Sequence, residues 1–584
     1  MWKIFFMVLD NLVFKIRYLN IKFFLLAIIP LAFCLACFSY LNSGFYPIYS
    51  NPIELDQDPA YIYLFSGLGL LHGFNPMHTD HPGTPYQIFF AAIILINFLK
   101  TILLNPSVFI ENGVTYSRLD SITVQDTELI LKIASLFGIC IISFLIFYLS
   151  IVIYKNFGSL LGAIISQFFI ILLSDTNNRQ IYSSKANLFL NRTIYPGPEQ
   201  LLIIISLVTL LFITISIKKL YLGQKKIPLD NEKKFYWILG SLFSTGIFTK
   251  VTFITFFPLL LLFKGSRLKN ILKGMISLSI FYTFVIGNRI AYTLYWFLNN
   301  LIKKESYGGG DIGLFKGESI TKAFKITFFS GYSYLSIFFI FIFLTLIIKI
   351  ILTKTNPNFS LSFVKNSLLN YKFTTLFFIT FSLGIIILFK NPVSRYFIPS
   401  AILLCYYLSI VYSINKLSYF KFGERNSFLK KTNIIFPFFL ISIVVSLILK
   451  ICILANNEIR ISRLNPPINN EVERLISGES VLCFYRFPTK KCAIAFALER
   501  NKELVGSEIF DGIKTIVGNQ IRDFSSNKKF EYLSQEPTKN INKDIIVLRK
   551  KDIFPRELSK AIKSKELIYN NDKVKLYDVE YYLR

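Results

Sequence analysis

At 584 residues, 53% of them hydrophobic and 16% aromatic, with a mean hydropathy of +0.51, the chain carries more apolar surface than one soluble core can bury. The net charge of +29 does not point to nucleic acid, because the cations gather in short runs between apolar stretches, Lys218, Lys219, Lys225, Lys226, Lys233 and Lys234 among them. Such runs fit cytoplasmic loops under the positive-inside rule, so the composition indicates an α-helical polytopic membrane protein.

Lys3, Lys15, Arg17 and Lys22 precede or open the first apolar run, which has no small-residue cleavage site and is followed by further spans. It reads as an uncleaved first helix with a cytoplasmic N-terminus. Stretches of ~20 mostly apolar residues are long enough to cross a bilayer. By that measure about 11 spans are predicted, at 22–42, 128–153, 159–174, 199–217, 235–249, 251–263, 271–287, 332–351, 373–390, 396–414 and 433–455. Lys250 interrupts the fifth and sixth; a lysine in mid-bilayer costs ~2.5 kcal/mol or more, so it is placed at the far turn of a tight helical pair.

The run 84–104 is also apolar, but counting it as a crossing breaks the charge parity of every later loop. The basic loops 218–234, 264–273, 349–372 and 415–431 belong on the cytoplasmic face with the N-terminus. Counting spans from either end then puts both flanks of 84–104 outside, and predicts an interfacial or dipping helix.

These segments divide the chain into a transmembrane domain over 1–455, with an outer loop at 43–127, and a C-terminal domain over 456–584. In the latter, "SVLCFYRF", "CAIAFAL", "DIIVLRKK" and "VKLYDVEYY" read as strands, while "SEIFDGIKTIVGNQIRDF" and "PRELSKAIKSKE" read as helices. The prediction is a small extracytoplasmic α/β domain. Cys34, Cys37, Cys140, Cys405 and Cys452 lie in apolar segments and read as buried free thiols. Cys483 and Cys492 bracket "FYRFPTKK", a hairpin-like stretch in a domain placed where a disulfide is permitted.

The first outer loop concentrates the chemistry. All three histidines, His72, His78 and His81, lie there with Glu54, Asp56, Asp58 and Asp80, and no Lys or Arg occurs from Ser43 to Leu99. Acids and imidazoles together suit proton transfer or metal binding. Asp58 before Pro59 also fits a helix N-cap opening "AYIYLFSGLGLL". Asp56 reads equally as a solvated loop acid, and His81 before Pro82 and Gly83 as a turn residue. His78, Asp80 and His81 leave room for a divalent metal, but their spacing does not define a site, and no cofactor is certain.

"LDQDPAYIYLFSGLGLLHG" followed by "DHPGTPYQ" resembles the first outer loop of the GT-C superfamily of glycosyltransferases, particularly the branch of protein O-mannosyltransferases and the lipid A aminoarabinose transferase. Later features agree in order: "YKNFG", "NRTIYPGPEQ", "STGIFTKVTFITFFP" and "NPVSRYFIPSAILL". The resemblance covers about the first 455 residues. It implies a GT-C-like fold and transfer of a sugar from a polyprenyl-phosphate donor to a hydroxyl of a lipid, glycan or protein acceptor. It further implies that Asp58 or Asp56 is the base, that Glu199 is a second acid at the mouth of the site, and that Lys250, Arg395 and Tyr396 lie near the lipid phosphate. The family's adjacent acidic pair is here Asp-Gln-Asp, and its His-Pro-Pro is His81-Pro82-Gly83, which leaves the base open between Asp56 and Asp58 and the role of His81 at the substrate open.

Simple chemistry suits these assignments. A carboxylate of pKa ~4 is ionised at neutral pH and can accept a hydroxyl proton, and a leaving phosphate gathers charge that cations can meet. Lys250 and Arg395 read otherwise as a polar turn and a snorkelling helix-end cation. A transporter or flippase of lipid-linked glycans is the alternative, but its sign would be ionisable residues in mid-span. Here they sit in outer loops and at span ends. The abundance of Lys, Asn, Ile and Phe suits an AT-rich bacterial genome, and with it the plasma (inner) membrane and the cell envelope.

Overall fold

The computed structural model describes residues 21–42, 60–76, 83–104, 116–168, 192–221, 229–295, 361–390 and 394–422, with residues 170, 174–175, 186–187 and 321 and five short strands between 480 and 579. The described part of the chain up to 422 is a helical assembly. Its helices are α1 Ile21–Asn42, α2 Ala60–Leu71, α3 Thr84–Leu104, α4 Tyr116–Gln125, α5 Thr127–Phe157, α6 Leu160–Ile165, α7 Pro198–Tyr221, α8 Leu229–Thr249, α9 Ser266–Ile286, α10 Leu361–Lys390 and α11 Ile398–Phe422. Among the described residues six helical segments are long and apolar enough to cross a membrane: Lys22–Ser39, Thr84–Leu104, Thr127–Phe157, Pro198–Ile217, Ser266–Tyr295 and Arg395–Ser413. The predicted spans at 332–351 and 433–455 lie outside the described residues.

Helix α1 runs antiparallel to α5, and charged stems mark the matching ends. Lys22 Nζ lies 5.8 Å from the Tyr154 ring centre and Lys155 Nζ lies 5.5 Å from that of Phe23, so each cation covers an aromatic face of the other helix. Helix α5 ends because Gly158 adopts φ 66°, a left-handed conformation that favours glycine, with its N–H donated to Tyr154 O at 2.7 Å. Ser159 then caps α6, its hydroxyl accepting from Gly162 N at 3.1 Å.

One predicted span takes a different form. Over 159–174 the described residues form a helix at Leu160–Ile165, turns at 166–168 and a helical residue at 170, and Ser174–Asp175 pairs as a strand (β1) with Ala186–Asn187 (β2). Hydropathy misses the reason. Gln167 is fully buried and its side chain donates to Leu26 O at 3.0 Å and to Ser150 Oγ at 2.9 Å, bonds that anchor the chain where it turns. Val251–Leu262, predicted as a short span, is a 3-10 helix of 12 residues, which at ~2.0 Å per residue reaches farther than an α-helix of that length.

Helices α8 and α9 pack as a close hairpin. A Cβ on Gly240 would lie 1.9 Å from Ile271 O, and one on Gly274 would lie 2.0 Å from Trp237 O, so backbone touches backbone at both crossings. Ser244 and Ser279 join hydroxyls across the same interface at 2.9 Å, and Arg267 Nε donates to Glu232 at 2.8 Å.

Helix α3 starts beside the first turns of α7 and runs back along the first half of α5. Gly83 N donates to Thr249 O at 3.1 Å and Tyr86 hydroxyl donates to Gln200 Oε1 at 3.1 Å. Farther along, the Phe89 and Phe137 rings are 5.3 Å apart and Asn97 donates to Asp126 at 2.9 Å. Its outer face presents Leu95, Ile96, Leu99, Leu103 and Leu104.

In the C-terminal region β3 Ser480–Cys483, β4 Ile521–Asp523, β5 Asp544–Arg549, β6 Leu567–Asn570 and β7 Val574–Val579 pair in the order β4-β3-β5-β7-β6. β3 is parallel to β4 and β5, while β7 is antiparallel to β5 and β6. β3, β5 and β7 fall within predicted strands. Ile521–Asp523 was expected at the end of a helix; pairing with β3 overrides that local preference. Cys492 and the helix at 555–566 lie outside the described residues, and the Cys483–Cys492 disulfide with them.

Candidate functional site

Four residues singled out in the sequence meet at one place. Glu199 sits in the first turn of α7 behind Pro198, where an acid complements the positive helix end and proline needs no N–H partner. Lys250 is the single extended residue between α8 and the 3-10 helix, with φ −162° and ψ 132°. Arg395 and Tyr396 belong to the 3-10 turn Ser394–Phe397 that opens α11. Three helix ends thus converge, and each contributes a side chain that an apolar span would exclude.

The Lys250 ammonium donates to Glu199 Oε1, and Arg395 Nε lies 3.9 Å from the same oxygen. Tyr396 lies beneath both cations, its ring centre 5.0 Å from Lys250 Nζ and 5.3 Å from the Arg395 guanidinium carbon. None of these residues is more than 7% exposed. A solvated turn lysine and a snorkelling helix-end arginine are therefore not what forms; both cations point inward.

Arg192, part of "NRTIYPGPEQ" but not singled out from the sequence, joins them. It is 6% exposed, its charge acts on both Glu199 and Lys250, and its Nε has no hydrogen-bond partner. The segment that carries it is fixed, because Gln200 Nε2 donates to Thr193 O at 2.7 Å while Gln200 Oε1 accepts from Tyr86. Gln200 needs room for this: a Cβ on Gly138 of α5 would lie 1.9 Å from its Nε2. These partners are up to 114 residues apart in sequence, so no local pattern discloses them. The available signal was a cation seven residues before an acid that begins a helix.

Among the described residues the cluster holds three cations against one carboxylate, an excess of two positive charges in a buried place. Burial pushes the Lys250 ammonium, which lies in the turn outside both flanking helices, down to about 8, with Glu199 opposing that shift. Such an excess is costly unless an anion neutralises it. Chemically, the arrangement can hold a phosphate through charge-assisted hydrogen bonds.

Asp56, Asp58 and His81, the other residues chosen from the sequence, lie outside the described residues, as do His78 and Asp80. The described residues of helix α2 begin at Ala60. His72 Nε2 and Asp120 Oδ1 are 2.7 Å apart and buried, which joins the end of α2 to α4. No group of three potential metal ligands occurs among the described residues.

Comparison of the chain with family models, with curated proteins and with solved structures finds no match.

Proposed function

We propose that the chain is a GT-C-type membrane glycosyltransferase that moves a sugar from a polyprenyl-phosphate donor to a hydroxyl acceptor at the outer face of the membrane. The observation that carries this reading is the convergence of Lys250, Arg395 and Arg192 on Glu199 at the ends of apolar helices. A lipid phosphate needs cations placed where a span meets the membrane surface. In this reading the acceptor hydroxyl attacks the anomeric carbon, Asp56 or Asp58 accepts its proton, and the cations meet the charge on the departing phosphate, with inversion at the carbon.

The remaining features agree with the same reading. With eleven spans and a cytoplasmic N-terminus, the cluster, the first outer loop and the α/β C-terminal domain lie outside the plasma membrane. The interfacial placement of α3 rests on the charge parity of the basic loops alone, since its 21 residues are long and apolar enough to cross. Its apolar outer face suits contact with lipid.

The test is transfer from a radiolabelled polyprenyl-phosphate sugar by membranes containing the protein. The expected result is label in a hydroxyl-bearing acceptor, reduced by Lys250→Met and Arg395→Met mainly through weaker use of the donor. Transfer that is unchanged in both variants overturns the reading.

A further inference from the structure

Glycosyl transfer from a lipid phosphate changes the charge on that phosphate, and the cluster has a third cation, Arg192, beside its central ion pair. A sugar-bearing polyprenyl phosphate is a phosphodiester with one negative charge. When the acceptor oxygen bonds to the anomeric carbon, the bond from that carbon to the phosphate oxygen breaks and its electron pair stays on the phosphate. The hydroxyl proton passes to the carboxylate base. The product, a phosphate monoester, carries nearly two negative charges at neutral pH. Lys250 and Arg395 against Glu199 would leave one positive charge, enough for the donor alone. Among the described residues, which do not include Asp56 and Asp58, Arg192 raises the excess to two.

Resting on that functional reading, we propose that Arg192 is the charge-selecting residue of the site, which makes the cluster bind a phosphate monoester dianion in preference to a phosphodiester monoanion. Three observations support it. Its Nε is buried without a hydrogen-bond partner, so a donor is held ready in a place where water does not reach. Its backbone segment is pinned through Thr193 O and Gln200 to Tyr86, which fixes where its side chain enters the cluster. Its charge already acts on both members of the central ion pair. Binding that strengthens as the anionic charge grows lowers the barrier, because it favours the transition state over the bound donor.

The experiment uses the full-length protein in detergent with two soluble isoprenoid probes, farnesyl phosphate and its methyl ester, and inorganic phosphate as a third arm. The wild type should bind the monoester about tenfold more tightly than the methyl ester, the worth of one additional charge-assisted contact. Arg192→Gln should bring the two affinities within about twofold, chiefly by weakening the monoester, and Arg192→Lys should recover part of the preference. Without ligand, Arg192→Gln should melt at the same temperature as wild type or higher, since it removes an uncompensated buried cation; a structural role predicts a lower one. Equal selectivity in wild type and Arg192→Gln overturns the inference while leaving the functional reading intact. Failure of the wild type to bind either isoprenoid probe removes the functional reading itself. Binding of inorganic phosphate as tight as farnesyl phosphate would assign the site to a free anion and overturn the lipid assignment.

Discussion

Among the described residues two buried side-chain contacts hold the ends of helices, and they differ in balance. His72 and Asp120 form one acceptor-to-nitrogen contact of 2.7 Å that ties α2 to α4. At the other, Glu199 faces Lys250, Arg395 and Arg192, and cations exceed the carboxylate. A hydrogen-bonded pair of this kind ties two helices together and serves the fold. Among the described residues the second cluster is unmatched, and in the proposed function an anion neutralises that excess.

The largest effect expected from breaking the contrast is at Glu199. Glu199→Ala removes the only carboxylate among the described members of the cluster and leaves three buried cations together. Loss of one partner from a buried ionic contact costs about 3–5 kcal/mol, which thermal unfolding in detergent would record as a marked drop in midpoint. Added phosphate should restore part of it, because a ligand bound only by the folded state stabilises that state. After disruption of the His72–Asp120 contact phosphate should stabilise no more than it does the wild type.

Next in size is the loss of turnover at the outer-loop acids. Asn caps a helix as well as Asp does, so Asp58→Asn keeps the capping chemistry and removes the proton acceptor. If Asp58 is the base, turnover falls by about 100-fold, or ~2.7 kcal/mol of barrier; if Asp56 is, the loss moves to Asp56→Asn. Rates from a radiolabelled donor at matched expression decide between them, and wild-type rates in both would remove the carboxylate mechanism.

A packing contact gives the third. Gly240→Leu and Gly274→Leu drive a side chain into a carbonyl already 1.9 or 2.0 Å from the position of a Cβ. Overpacking of this kind costs about 1–3 kcal/mol, read as a lower melting temperature that phosphate raises no more than it does that of the wild type. The same measurement therefore sorts the ion cluster from the hairpin.

How much of the fold and the site is legible in the sequence depends on the range of the interaction. Lys250 is visible as an interruption of an apolar run, whereas Glu199, Arg395 and Tyr396 are chosen through the resemblance to a family. That they meet was implied only by a family resemblance. Arg192, Gln200 and Tyr86 escaped notice because their roles depend on partners brought close by the fold. The continuous helix expected over 159–174 was lost for a related reason, since the buried bonds of Gln167 to Leu26 and Ser150 do not register in a hydropathy window. Similarly, pairing with β3 decided the state of Ile521–Asp523 from outside the segment.

A pH titration is the gentlest test, because it alters the cluster without changing a residue. Burial holds the Lys250 ammonium at about 8, below its ordinary value near 10.4. As pH rises through 8 the folded, empty protein gives up this proton while the unfolded chain keeps it up to about 10.4. The unfolded state then binds more protons, so stability of the empty protein should rise with pH across that window. Donor binding should move the other way. A phosphodiester keeps its single charge throughout, and loss of the ammonium removes one of its cationic partners, weakening binding by up to about tenfold per pH unit above 8. Opposite slopes for the melting temperature without ligand and for donor affinity are therefore expected between pH 8 and about 10, and both should flatten in Lys250→Met. Parallel slopes would mean that Lys250 does not meet the anion, and that the cluster at the helix ends is a structural tie like that of His72 and Asp120.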